Sequence, residues 1–164
     1  MKFATQVIDQ HEAHQTQWVT VESADWKNIA SELHAQGFVR CEWLKAIHIT
    51  SDEFKVFAKV ASADLSETVV VVAICTESID SLTEVYKSAE FHERECTQLL
   101  GIQFTGTTSM EPAFVTDFEG FPLRRDFALT ERVDHEWPGQ VDPEKNTRRR
   151  PALPPGVFQE WIND

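Results

Sequence analysis

Cysteine is scarce: Cys41, Cys75 and Cys96 are odd in number, far apart, and form no Cys-x-x-Cys pair. Three scattered thiols cannot supply the four thiolates of an ordinary iron–sulfur cluster or of a Cys-only zinc site, so reduced cysteines in a cytosolic chain are expected and any redox centre belongs to a partner. Glycine is scarce too. The six glycines never form Gly-x-Gly, which removes the dinucleotide and phosphate-cradling fingerprints, and nucleotide binding by this chain is not expected. Long apolar runs are missing: the longest, Val69–Cys75, has seven residues, where a membrane-spanning helix needs about 20. The first fifteen residues carry Asp9, Glu12 and two histidines in place of a basic patch followed by an apolar stretch, so export is not expected. Positive charge is in short supply as well. The formal net charge is −12, of which residues 1–123 hold −11 and residues 124–164 hold −1. An acidic body of this kind repels phosphate backbones and anionic lipid, which argues against nucleic-acid binding and against insertion at a membrane surface.

Proline is absent ahead of Pro112, and all seven prolines lie from that position onward. A proline-free block rich in Val, Ile, Phe and Trp can build continuous helices and ladders, while the later block is confined to turns and extended chain. With 164 residues, 41% hydrophobic and 26% charged, the chain matches ordinary globular averages. We therefore expect an α+β body over residues 1–140 and an extended, Pro-rich C-terminal arm over 141–164. The body reads as two layers, a mixed and mostly antiparallel sheet packed against helices.

Asp25 is placed to start a helix through Gln36, with Trp26, Ile29, Ala30 and Leu33 at helical spacing and Gly37 at its end. Phe38–Ile49 alternates, with Trp43, Ile47 and Ile49 on one face, and Phe54–Ala61 alternates Phe54, Val56, Ala58 and Val60 against Lys55, Phe57 and Lys59. Thr68–Thr76, with its run Val69-Val70-Val71-Val72, has no polar face and predicts a central strand covered on both sides. These three strands should form an antiparallel meander. A second helix is expected from Asp80 or Ser81, with Leu82, Val85, Tyr86 and Ala89 in register, continuing to Leu100 and stopped by Gly101.

The densest polar cluster, His92-Glu93-Arg94-Glu95-Cys96, lies on that helix. Glu93 and Glu95 are two apart and point about 200° from each other, which disfavours a catalytic carboxylate pair. His92 and Cys96 share a face at i, i+4, yet no other His/Cys pair is spaced to complete a metal site. Glu93 falls on the buried stripe, and a buried carboxylate must be paired or hydrogen-bonded. The cation is expected from Arg124-Arg125, where Gly120 and Pro122 make a turn and the residues after it alternate as a short strand that sends the two arginines to opposite faces. The competing reading is an ordinary solvated charged surface.

The run Glu93-Arg94-Glu95-x-x-x-Leu99-Leu100-Gly101-Ile102-x-Phe104-x-Gly106, followed by Asp117-x-Glu119-Gly120-x-Pro122-Leu123-Arg124-Arg125-Asp126-Phe127, resembles the signature of the thirty-kilodalton subunit family of respiratory complex I, the C subunit of bacterial NADH–quinone oxidoreductase. Trp137-Pro138-Gly139, Arg148-Arg149-Arg150 and Pro154-Pro155-Gly156 look like the actinobacterial type. The family pattern is departed from in three places: Gln98 stands where an acidic residue is usual, Thr107-Thr108 replace His-Pro after Gly106, and Phe121 replaces a histidine. Each removes a charge or a titrating group.

The resemblance implies a subunit with no redox cofactor of its own, needed for assembly of the peripheral arm. It would lie there beside the quinone-site subunit of the forty-nine-kilodalton type (the D subunit) and neighbouring iron–sulfur subunits. It implies that NADH, FMN, iron–sulfur clusters and quinone belong to those partners, and that the chain is cytoplasmic, held peripherally at the inner face of the cell membrane. An equivalent subunit of a membrane-bound hydrogenase-type complex is the alternative within the family. Outside it stand a small enzyme using His92, Glu93 or His135, and a free-standing binding module on the same fold. In the arm, Phe158, Trp161 and Ile162 read as apolar anchors for a partner's groove, and Arg148, Arg149 and Arg150 suit an acidic protein surface better than nucleic acid.

Overall fold

The structure, a computed structural model, describes residues 3–50, 52–107, 111–114 and 119–128. The chain divides into two units, Met1–Leu129 and Thr130–Asp164. Only the first falls among the described residues, so the arm, with Arg148, Arg149, Arg150 and Trp161, lies outside them. The order of elements is β1 (Asp9–Ala13), β2 (Thr16–Glu22), α1 (Trp26–Ala35), β3 (Arg40–Thr50), β4 (Glu53–Ala61), β5 (Thr68–Cys75), β6 (Ser78–Asp80), α2 (Ala89–Leu100) and β7 (Gln103–Thr105).

The expected α+β class and the meander are present. β3, β4 and β5 pair antiparallel, and β5 pairs parallel with β2, giving a five-stranded mixed sheet in the order β1-β2-β5-β4-β3. Val69, Val70, Val71 and Val72 are all buried, as a central strand requires. On the inner face Val69 and Val71 meet the two helices' core. On the outer face, Trp18 lies opposite Val70 and Phe57 opposite Val72. The two rings meet edge-on across β5, centroids 6.5 Å apart, and shield that face with aromatic area in place of a second helix layer.

α1 buries Trp26, Ile29, Ala30 and Leu33, and its end carries both bonds of a Schellman motif, Gly37 N–H to His34 C=O and Phe38 N–H to Leu33 C=O. Gly37 takes φ +99°, which only glycine adopts cheaply, and the motif drives Phe38 into the core.

Three differences from the sequence-based expectation have local causes. β1 and β2 have no counterpart among the expected elements: their two-residue turn is His14-Gln15, both at positive φ, where the usual hairpin signal is Asn-Gly or Asp-Gly. In β3, Trp43, Ile47 and Ile49 do share a face, but it is the outer one. A bulge between Cys41 and Trp43 shifts the phase, so the buried side chains are Cys41, Leu44 and His48. Finally, α2 begins at Ala89 and not at Asp80 or Ser81. Ser78–Asp80 is instead held extended as β6 by parallel pairing with β7, Ser81 N–H continues that pairing onto Thr105 C=O, and the residues after it form only isolated turns, Tyr86 N–H to Leu82 C=O and Ala89 N–H to Tyr86 C=O. Leu82, Tyr86 and Ala89 are still buried, as apolar points on successive turns.

Candidate docking site

α2 presents two working faces. Glu93, Cys96 and Leu100 point inward, while Phe91, Arg94 and Gln98, at i, i+3 and i+7, share an outer stripe. That stripe grips the segment 111–114. Arg94 donates from Nε to Glu111 C=O (2.7 Å) and from Nη2 to Pro112 C=O (3.0 Å). Gln98 Oε1 accepts from the amides of Ala113 and Phe114, each at 2.9 Å. Phe91 and Phe114 meet edge-on at 5.3 Å. Gln98 thus keeps the acceptor that an acidic residue would supply at this position. Gln98→Ala should release the segment and cost about 1–2 kcal/mol in urea unfolding, whereas Gln98→Glu, a charged acceptor for the same two amides, should hold it at least as firmly.

The helix end receives the second signature segment. Arg124 donates from Nε to Leu100 C=O at 2.6 Å, placing a cation on the negative end of the α2 dipole, and its guanidinium lies over the rings of Phe121 (4.5 Å) and Phe54 (5.3 Å). Leu123 N–H bonds Leu99 C=O (3.1 Å). Arg125 N–H bonds Nδ1 of the buried His48 at 3.0 Å, and the Asp126 carboxylate stands 3.9 Å from the same nitrogen. Gly101, at φ +81°, lets the two segments close: a Cβ there would sit 2.7 Å from both Arg124 Nη2 and Phe121 Cζ. Beside this junction a cleft of about 380 Å³ is lined by Asp52, Phe54, Thr76, Glu77, Gly101, Gln103 and Arg124.

Two expectations are corrected here. The segment 119–128 is not a strand but successive turns, closed by Arg124 N–H to Phe121 C=O and Phe127 N–H to Arg124 C=O; Pro122 presets the first of them. Gly120, at φ +95°, sits against Phe127, where a Cβ would come within 3.0 Å of the ring. And neither arginine pairs with Glu93. That carboxylate, 1% exposed, takes the Ser81 hydroxyl and the Leu82 N–H, both at 2.7 Å, and Ser81 in turn meets Thr83 Oγ1 at 2.7 Å. Burial pushes the Glu93 carboxyl up to about 7, against the pull of its two hydrogen bonds. Neutral partners suffice because the group can hold a proton.

The other predicted residues take supporting places. Glu95 lies 3.8 Å from Lys45 and 3.9 Å from His92. Gly106 follows β7 at φ +84° with open space around it. Pro122 is half-buried, while Leu123, Arg125 and Asp126 face outward. The three cysteines are buried and free, and burial pushes Cys41 and Cys96 up to about 12 and Cys75 to about 11, so all three stay thiols. Among the described residues no group of three or more His, Cys, Asp or Glu is placed to hold a metal ion, and no helix is long and apolar enough to cross a membrane. Sequence reasoning missed His48 and Ser81. The inward phase of His48 after the β3 bulge was the available signal.

The chain is thus a two-layer α+β domain in which Arg94, Gln98, Gly101 and Arg124 hold two loops against one helix. Residues 19–133 match the family model described as respiratory-chain NADH dehydrogenase, 30 Kd subunit, and the chain belongs to that family. It is 26% identical over 81% of its length to NADH-ubiquinone oxidoreductase subunit 9 of Acanthamoeba castellanii, covering 71% of that protein. It is 33% identical over 71% of its length to the C subunit of NADH-quinone oxidoreductase of Vesicomyosocius okutanii, covering 58% of that protein. Other relatives are matched over as little as 29% of their own length. Among solved structures, the trypsin-resistant fragment of Nqo5 superposes with a TM-score of 0.55 at 21% identity, over 62% of this chain and 88% of that one. A chain of the membrane-bound sulfane sulfur reductase, an archaeal respiratory membrane complex, superposes at 0.69 with 16% identity, over 81% and 89%. Both show the fold.

Proposed function

We propose that the chain is a non-catalytic, peripheral-arm subunit of a complex I-type NADH–quinone oxidoreductase that docks on and orders the quinone-site subunit of the forty-nine-kilodalton type, beside its iron–sulfur neighbours. In this reading it holds no cofactor; NADH, FMN, clusters and quinone reside in the partners, and the chain lies on the inner face of the cell membrane through them. The observation that carries it is where the signature side chains are used. Arg94 and Gln98 of α2 and Arg124 of the turn are spent on contacts within the chain, Gly101 leaves room for that turn, and the two loops so held present Phe114 (56% exposed), Leu123 (57%) and Phe121 (38%) outward. Intramolecular clamping that leaves apolar side chains on show fits an interface whose core is built before the partner arrives.

Leu123→Asp tests this with little risk to the fold, since only the backbone amide of Leu123 is engaged. Co-purification of the large quinone-site subunit under mild detergent should fall at least about tenfold, as expected for an interface anchor, with the variant's unfolding midpoint unchanged. Undiminished co-purification by Leu123→Asp together with Arg125→Ala would place the interface elsewhere. The equivalent subunit of a hydrogenase-type complex is the second reading, kept open because the fold is shared both with Nqo5 and with a chain of an archaeal respiratory membrane complex. The metals of the co-purifying large subunit separate the two.

A further inference from the structure

His48 is 4% exposed and stacks on Phe54 at 5.0 Å. Its Nδ1 lies 3.0 Å from the backbone nitrogen of Arg125. An amide N–H only donates, so Nδ1 must offer a lone pair, and the ring is neutral with its proton on Nε2. Nε2 has no acceptor among the described residues. We propose that this contact is a proton-sensitive latch: docking of the signature turn and uptake of a proton by His48 compete for one lone pair.

The surroundings decide the outcome of protonation. With Nδ1–H formed, two donors face each other and the Arg125 bond is lost. The carboxylate poised to take the new proton is Asp126, its Oδ1 3.9 Å from Nδ1 and its side chain 63% exposed, on the very turn that the latch holds. Arg124 stands over the Phe54 ring on which His48 stacks, and adds positive charge nearby. From β4, Glu53 bonds Thr50; from α2, Glu95 is drawn to Lys45, and Cys96 is a protonated thiol. Among the described residues, Asp126 alone brings a carboxylate within 4 Å of His48. The turn must then shift, because the Arg125 N–H and a new Nδ1–H are two donors opposed at 3.0 Å, while Asp126 Oδ1 has to close from 3.9 Å to accept. The segment bearing Leu123 and Phe121 would then loosen from the end of α2 as pH falls. The latch concerns the chain's hold on its own turn; only its effect on a partner rests on the function proposed above.

The test is nitrogen-15 NMR with amide exchange on the full chain alone, at about pH 8 and about pH 5.5, on either side of most of the interval in which histidines titrate. At the higher pH His48 should be the Nε2–H tautomer with the Arg125 amide protected. At the lower pH that protection, corrected for intrinsic exchange, should fall about tenfold, the scale of one hydrogen bond, while α1 amides do not change. His48→Asn places a non-titrating oxygen near the position of Nδ1 and should keep Arg125 protected at both pH values; His48→Phe should lose protection at both. A wild-type Nδ1–H tautomer at the higher pH, equal protection at both, or the same pH-dependent loss in His48→Asn would overturn the latch. Because no partner is present, failure here is distinct from failure of the docking reading.

Discussion

Gly101→Ala is expected to detach the turn 119–128 from the end of α2. Two effects add. At φ +81° a Cβ carries the left-handed penalty of about 1–2 kcal/mol. The same Cβ would meet Arg124 Nη2 and Phe121 Cζ at 2.7 Å and Phe121 Cε1 at 2.9 Å, well inside contact distance. Arg124 borders the cleft and can retreat only by giving up its Nε bond to Leu100 C=O and its seat over the Phe121 and Phe54 rings. Overpacking of this kind adds about 1–3 kcal/mol. Gly37→Ala supplies the internal control: its φ is +99° with nothing within 4 Å of the added atom, so it should show the backbone penalty alone. In urea unfolding Gly101→Ala should therefore cost about 2 kcal/mol more than Gly37→Ala. Trypsin should also cut sooner after Arg124 and Arg125 in Gly101→Ala and at the wild-type rate in Gly37→Ala. Equal costs and equal cleavage would mean that the turn does not seat on Gly101.

The contrast between those glycines also shows what a sequence discloses. Gly37 ends α1 by a local motif, and the residues around it announce that end. Gly101 was legible as a helix stop, yet its second use, leaving space for a guanidinium from residue 124, depends on a contact distant in the chain. The same division runs through the fold. The four valines of β5 and the alternation of β4 need only their neighbours to be understood. The insertion of β2 beside β5 depends on pairing across about fifty residues, and no local pattern encodes it. At the site, helical phase placed Glu93 inside correctly, but beginning the helix at Ser81 hid its partner. On one continuous helix Ser81 and Glu93 would stand about 18 Å apart; because the chain turns at 81–88 instead, the hydroxyl and the carboxylate are 2.7 Å apart. The arginines looked necessary only because the neutral donors seemed out of reach. The two signature segments do meet, through Arg124 and the carbonyl end of the helix, and the chemistry that joins them is a cation on a dipole and not an ion pair.

Glu93 then sets a measurable pH dependence. Its carboxyl is raised from 4.5 to about 7 in the folded chain, so between those values the native state keeps a proton that the unfolded chain releases. Stability from the protonated form is fully present below about pH 4.5, declines as pH rises, and is gone above about pH 7, a loss of about 3 kcal/mol for a group that solvent does not reach. Glu93→Gln should remove this slope, because its amide oxygen still accepts the Leu82 N–H and its amino group donates to Ser81 Oγ, which passes its own proton to Thr83 Oγ1. The expected result is that Glu93→Gln matches the wild type near pH 4.5 and exceeds it by about 3 kcal/mol near pH 8, read as the difference between two urea series so that other titrating groups cancel. Glu93→Ala should instead lose about 3–5 kcal/mol below pH 4.5, having stranded the buried Leu82 N–H and opened a cavity. Parallel pH curves for wild type and Glu93→Gln would show that Glu93 is ionised throughout, and would require a cation beside it.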